Sequence, residues 1–253
     1  DKALSFGLLN DVEQWTLLDP VYKAYTKNLC GYAERGEKEW KRLLGSFFAE
    51  GVNIAVVKNN TNEIEGYAVY RLDSPEIPVT EFVYTTRRAQ RGLLNYFYNH
   101  RSQGESIRWN EGLHDTGYRF VPDGKTGHTT MPYMMARIVD VETALTTVPV
   151  NPEAVMMPIT LNIKVTDTLC DWNNGVFALT LGESTLPNVK RVSAESVDEI
   201  DITIDIGGLT VLLMGAVSAK DLVFEGKLQG ESHWIDYLDM VYPKQNTYIN
   251  EWW

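Results

Sequence analysis

The stretch VTEFVYTTRRAQRGLLNYF, Val79–Phe97, changes its period halfway along. Val79 to Tyr84 is rich in β-branched and aromatic residues and reads as a short strand. From Ala89 to His100 the apolar residues Leu93, Leu94 and Phe97 fall on one side of a helix. A strand feeding a helix through Thr85-Thr86-Arg87-Arg88 is a junction where anions bind well, because the first helical N–H groups lack partners and the dipole favours negative charge. Strands and helices in alternation place the chain in the α/β (α+β) class.

Upstream, Val52–Val57 and Ile64–Leu72 read as strands around Asn59-Asn60-Thr61-Asn62, residues that favour tight reversal, so the pair is a hairpin. Two helices precede it. The first follows the cap residues Asn10 and Asp11, carries Trp15, Leu18, Tyr22, Tyr25 and Leu29, restarts at Pro20 and closes at Gly31. The second begins near Glu37 and buries Trp40, Leu43, Leu44, Phe47 and Phe48. Downstream, Ile107–Trp109 is a fourth strand, Tyr133–Val139 a fifth, and Glu142–Thr147 a short helix. Val148–Pro158 holds three prolines and no periodicity, which sets a boundary between domains 1–148 and 149–253. Beyond it, Ile159–Val165 and Gly175–Leu181 are strands, and the segment joining them ends in the turn signal Asn173-Asn174-Gly175. Ile200–Ile206 alternates isoleucine with Asp201, Thr203 and Asp205, a half-buried strand that Gly207-Gly208 ends. Leu209–Val217 reads as a buried helix, and Trp234, Leu238 and Val241 as a last one stopped by Pro243.

With 253 residues, 44% of them hydrophobic and a formal charge of −11, the chain is long enough for one large or two modest cores. The acidic balance repels phosphate backbones, which argues against nucleic acid as a partner. The absence of an apolar run of spanning length argues against membrane insertion, and Cys30 and Cys170, far apart, read as reduced thiols of a cytoplasmic protein. His100, His114, His128 and His233 show no ligand spacing, so no metal is expected. The Asp198/Glu199 pair reads as solvated surface, and no nucleophile elbow, Walker loop or dinucleotide fingerprint occurs.

Five segments together resemble the enhanced intracellular survival (Eis) family of GNAT acetyltransferases. They are Val21–Tyr25 with Gly31 and Arg35 before Trp40, Glu65–Arg71, and Glu81 with the helix to Phe97. The run Met134–Val141 leading to Ala144-Leu145 is the fourth, and Trp172–Gly175 with Phe177, after Thr166-Asp167, the fifth. The resemblance implies a GNAT-like mixed sheet with helices, followed by a sterol-carrier-protein-like α/β domain. It covers the second and third domains of the family pattern, so an active GNAT domain is expected ahead of Asp1. GNAT enzymes wrap the coenzyme A pyrophosphate with a Gln/Arg-x-x-Gly-x-Gly/Ala loop at the strand-to-helix junction. Here Arg88, Gln90 and Arg91 precede a single glycine, Gly92, and Leu93 and Leu94 follow, so the cradle is degenerate. Acetyl-CoA is therefore expected to bind outside this chain and not to it.

The ending Tyr248-Ile249-Asn250-Glu251-Trp252-Trp253 admits two readings. Aromatic termini fray or aggregate unless they dock, so one reading of the tail is an anchor packed in an apolar groove. The resemblance instead implies that the α-carboxylate of Trp253 enters the active GNAT domain as a general base. Such a carboxylate has an ordinary pKa near ~3.5, which burial among aromatics raises toward a useful range. The resemblance further implies N-acetylation of small cationic amines such as aminoglycosides, and a homo-oligomer. The rival is a binding module: Ile200–Ile206 with Leu209, Leu212, Leu213 and Met214 would line an apolar-ligand cavity, unless they form a filled core.

Overall fold

The structure is a computed structural model that describes residues 4–120, 127–131, 134–182 and 186–251. In chain order it forms β1 (Ser5–Leu9), α1 (Trp15–Thr26), α2 (Glu37–Ala49), β2 (Asn53–Lys58), β3 (Ile64–Tyr70), β4 (Glu76–Tyr84), α3 (Arg87–Asn99), β5 (Ser106–Trp109) and α4 (Val141–Thr147). There follow β6 (Ile159–Thr166), β7 (Gly175–Leu181), β8 (Asn188–Val192), β9 (Ile202–Asp205), α5 (Ile206–Leu213), α6 (Ala219–Phe224), β10 (Leu228–Gly230) and α7 (Ser232–Val241). Among the described residues there are two five-stranded sheets, one in each of two compact units: Asp1–Met131 with Thr247–Trp253, and Pro132–Asn246.

In the first unit the strands lie in the order β1-β2-β3-β4-β5, antiparallel except for the parallel pair β4–β5. Both faces are covered, which explains the continuous apolar run in β2. Ile54 and Val56 pack with Leu18, Tyr22, Trp40 and Leu44 of α1 and α2, while Ala55 and Val57 pack with Ala89, Leu93 and Phe97 of α3. Two bulges interrupt the ladders. Val57 faces Gly66 and Lys58 faces Ile64, so Glu65 is the extra residue on β3. Val69 faces Glu81 and Tyr70 faces Val79, so Thr80 is the extra residue on β4. An extra residue bends its strand and re-aims its polar groups, and both are used below.

In the second unit the order is β10-β9-β6-β7-β8, with β6 and β9 parallel. One face carries the core: Leu161, Ile163, Val165, Leu179, Ile202 and Ile204 pack with Leu209, Leu212, Leu222 and Leu238 of the helices. The other is wet, as the exposed cross-strand hydroxyl pair Thr160–Thr180 at 2.9 Å illustrates.

Several expectations need correcting. The first element among the described residues is a strand, not a helix; Ser5–Leu9 is short and contains glycine, and pairing with β2 makes it a strand. Pro20 lies inside α1, which runs on to Thr26, and Gly31 (φ 79°) shapes the loop after the helix instead of capping it. Residues 134–139 are irregular where a strand was expected, and the Tyr133 at its start lies outside the described residues. Asn174 is extended (φ −73°), so the Asn-Gly pair makes no positive-φ hairpin turn. The alternation through Ile206 overshoots: Asp205 caps α5 by accepting from Gly208 N at 2.6 Å, and both glycines sit in the first helical turn. The two compact units divide between Met131 and Pro132, and Val141 and Leu145 of α4 are buried in the second core.

Candidate functional site

The β4–α3 junction is built as a cap. Thr86 accepts from Ala89 N at 3.1 Å and also donates to Glu65 Oε2 at 2.8 Å. Because Glu65 is the bulged residue of β3, its carboxylate reaches this helix N-terminus, where Arg88 (3.1 Å) and Asn59 (3.2 Å) also donate to it. Burial would raise the Glu65 pKa, but these hydrogen bonds outweigh it and hold the group below the ordinary carboxylate range. The four residues expected at a diphosphate loop do not converge. Arg88 is paired with Glu65, Arg91 is exposed, and Gln90 is buried, donating to Tyr84 Oη at 2.9 Å. Gly92 faces inward, where a Cβ would come within 2.7 Å of Leu4 Cδ1 and 3.4 Å of Val57 Cγ2. This junction seats a protein carboxylate, Glu65, beside the start of α3, and the side chains of Thr86 and Arg88 are engaged with it.

Beyond the junction, Tyr84 donates to Asp115, whose other oxygen accepts from Gly117 N at 2.8 Å. Burial and this hydrogen bond raise the Tyr84 phenol far above its ordinary value, so it stays protonated. Burial lowers the His114 imidazole, partly offset by Asp115, and raises the Glu111 carboxyl, which accepts from Trp109 Nε1 at 2.9 Å. Tyr25 packs against Tyr84, His114 and Tyr248 with ring centroids 5.5–5.8 Å away.

The most concentrated chemistry surrounds Arg35, which is 6% exposed. Its guanidinium lies 4.2 Å from the ring centre of Tyr22 and 4.8 Å from that of Trp40, cation–π contacts with two rings that themselves meet edge-on, in a desolvated setting. Nη1 and Nη2 both donate to Glu81 of β4, and Tyr67 Oη donates to Glu81 Oε2 at 2.9 Å. Nε and Nη2 reach Glu251 Oε1 at 2.7 and 2.6 Å. Burial would lower the Arg35 pKa, yet Glu81 beside it more than compensates, and the group stays charged. The tail is held along its length. Thr247 bridges Cys30, Tyr248 N donates to Cys30 O at 2.9 Å, and Asn250 Nδ2 donates to Thr80 O at 2.6 Å. Thr80 is the bulged residue just past Val79–Trp109, where β4 outruns β5. Trp252 and Trp253, with the carboxylate expected to act as a base, lie outside the described residues.

The sequence quoted Arg35 and Glu81 as marks of a resemblance but gave no sign that they meet Glu251, since no spacing links the three. In the second unit Asp167 plays an organising role that also went unread. It accepts from Leu169 N, Cys170 N, Arg137 and Asn173, while Asn174 pairs with its backbone at both N and O. Among the described residues no group of three or more His, Cys, Asp or Glu is placed to hold a metal, and no helix is long and apolar enough to cross a membrane.

Residues 31–138 match the acetyltransferase (GNAT) domain, and residues 141–250 match a sterol carrier protein domain. No curated protein matches the sequence. Among solved structures, a conserved protein of unknown function from Enterococcus faecalis, described as a probable N-acyltransferase, is 22% identical, with TM-score 0.85 over 99% of this chain and 62% of its own. A GCN5-related N-acetyltransferase from Anabaena variabilis is 18% identical, with TM-score 0.79 over 99% and 63%. Eis1 from Mycobacterium abscessus is 20% identical, with TM-score 0.65 over 98% and 62%. At these identities the likeness is one of fold, a GNAT domain followed by a sterol-carrier-like domain. The chain spans about three fifths of the length of each.

Proposed function

We propose that this chain is the C-terminal two-domain portion of an Eis-like N-acetyltransferase, which moves an acetyl group from acetyl-CoA to an amine of a small cationic acceptor and releases coenzyme A. In this reading the donor site lies in a GNAT domain outside this chain, which the engagement of Thr86 and Arg88 with Glu65 at the β4–α3 junction supports. The chain supplies scaffold, an acidic wall for the acceptor and the terminal carboxylate of Trp253, which takes the proton the amine must lose. The observation that carries the reading is the docked tail. Arg35, Cys30 and Thr80 fix the chain as far as Glu251, so the two residues that follow leave from a defined point. A general base works only within hydrogen-bond reach of its proton, and fixing the approach meets that need. The same reading carries self-association of the intact protein and a cytoplasmic location.

The test is one glycine appended after Trp253 in the longer parent protein. It displaces the carboxylate by about 3.5 Å while both tryptophans can keep their places. Turnover is expected to fall ~10²–10⁴-fold with little change in melting temperature. Turnover within about twofold of the parent makes Trp253 a packing anchor and removes the catalytic assignment. The residues expected to line an apolar-ligand cavity, Ile202, Ile204, Leu209, Leu212 and Leu213, are buried in one cluster, which favours the filled core.

A further inference from the structure

Arg35 serves two carboxylates with one guanidinium, and the two are not equivalent. Glu81 belongs to β4, engages both Nη atoms and is steadied by Tyr67. Glu251 arrives from the last residues of the chain and takes Nε together with Nη2. Without the tail, Arg35 would still be flanked by Tyr22 and Trp40 and neutralised by Glu81. It would then present an edge of N–H donors between two backbone carbonyls, Cys30 O and Thr80 O, which the tail now satisfies. Tyr248 adds an apolar anchor, 7% exposed, edge-on to Tyr25 at 5.5 Å. The charge balance belongs to the body of the unit, and the recognition elements are spread along one extended segment.

We propose that this crevice is a peptide-binding site for an extended segment with an aromatic residue followed, two and three positions on, by an amide and a carboxylate. In this chain its occupant is the chain's own Tyr248-Ile249-Asn250-Glu251. The tail is thus a separable ligand, and the specificity lies in the donor edge of Arg35, with Thr80 O reading the amide. The inference does not depend on what Trp252 and Trp253 do, so it stands or falls apart from the catalytic reading.

The experiment uses the full chain with a protease recognition sequence inserted after Asn246. After cleavage, a fluorescein-labelled synthetic peptide of residues 247–253 is added and followed by anisotropy, and the cut tail is followed through gel filtration by mass spectrometry. The cut chain is expected to keep its near-ultraviolet circular dichroism and either retain its tail or take up the labelled peptide saturably. A peptide with Glu251→Gln should bind at least tenfold more weakly, and one with Asn250→Ala more weakly than the native peptide. In the uncut chain, Glu251→Gln should speed removal of the last residues by carboxypeptidase at least tenfold. Loss of the tail without rebinding to a folded cut chain overturns the proposal, as does equal binding of the Gln peptide. Unfolding on cleavage also overturns it, since the tail would then be part of the core.

Discussion

Arg35 Nε and Glu251 Oε1 lie 2.7 Å apart although 216 positions separate the two residues in the chain. Removing one partner of a buried ion pair leaves an uncompensated charge, which is far costlier than the net worth of the pair. Arg35→Met strands both Glu81 and Glu251 and is expected to lower stability by about 3–5 kcal/mol in urea unfolding. The double variant Arg35→Met/Glu251→Leu should cost less than the sum of its parts, because one stranded carboxylate is gone. Additive effects would mean that the two groups are not energetically coupled.

Two glycines of the first unit separate backbone from side-chain crowding. A Cβ at Gly66 would meet Val83 O at 2.8 Å and Tyr84 Cα at 3.3 Å, both backbone atoms of the neighbouring strand. At Gly92 the closest atom is the end of the Leu4 side chain, and alanine also gains helix propensity there. Gly66→Ala is expected to cost about 1–3 kcal/mol, and Gly92→Ala under about 1 kcal/mol. Thermal melts of the two variants give the comparison, and the reverse order would contradict this packing.

Asp167 sets an acid dependence for the second unit. Burial opposes its charge, but hydrogen bonds from Asn173, Leu169 N, Cys170 N and Arg137 outweigh it and hold the carboxyl far below its ordinary range. Its pKa is lower folded than unfolded, so its contribution is complete above the unfolded value near ~3.9 and is lost as pH falls below that toward the folded value. The melting temperature should drop between about pH 4 and pH 2, and Asp167→Asn should flatten that part of the curve. An equally steep profile in the variant would assign the acid sensitivity to other groups.

With Glu65 seated at the start of α3, acetyl-CoA is not expected to bind this chain tightly. Calorimetric titration should show no site with Kd below about 10 μM, equivalent to −6.8 kcal/mol. A tighter site would place donor binding within this chain and displace the proposed division of labour.

What could be read in advance follows the range of the physics. α2, α7, the β2–β3 hairpin and the strand-to-helix passage at Thr86 are local patterns, and periodicity found them. β1 and β8 were missed because short edge strands owe their form to a neighbour. Ile206 was misassigned because a period-two pattern can continue into a helix when an aspartate caps it. For the candidate site, the pattern at Arg88, Gln90, Arg91 and Gly92 drew attention to the junction but gave no sign of Glu65, since a bulge rather than any spacing brings it there. The Arg35–Glu81–Glu251 cluster joins three distant segments, and single-sequence patterns carry no record of such meetings.

The place of the tail has a consequence for the order of synthesis. Glu251 is translated 216 residues after Arg35, so at ~5–20 residues per second Arg35 waits roughly 10–40 s for its second carboxylate. Glu81 emerges only 46 residues after Arg35 and is available to neutralise the guanidinium meanwhile. The first unit can therefore collapse around a balanced charge while the second is still being translated. Its strand-like contact of Thr247 beside Cys30 closes only after the second unit has been translated. A nascent chain stalled before Thr247 would carry an open crevice, and the arrival of Thr247 to Glu251 is the event that shuts it.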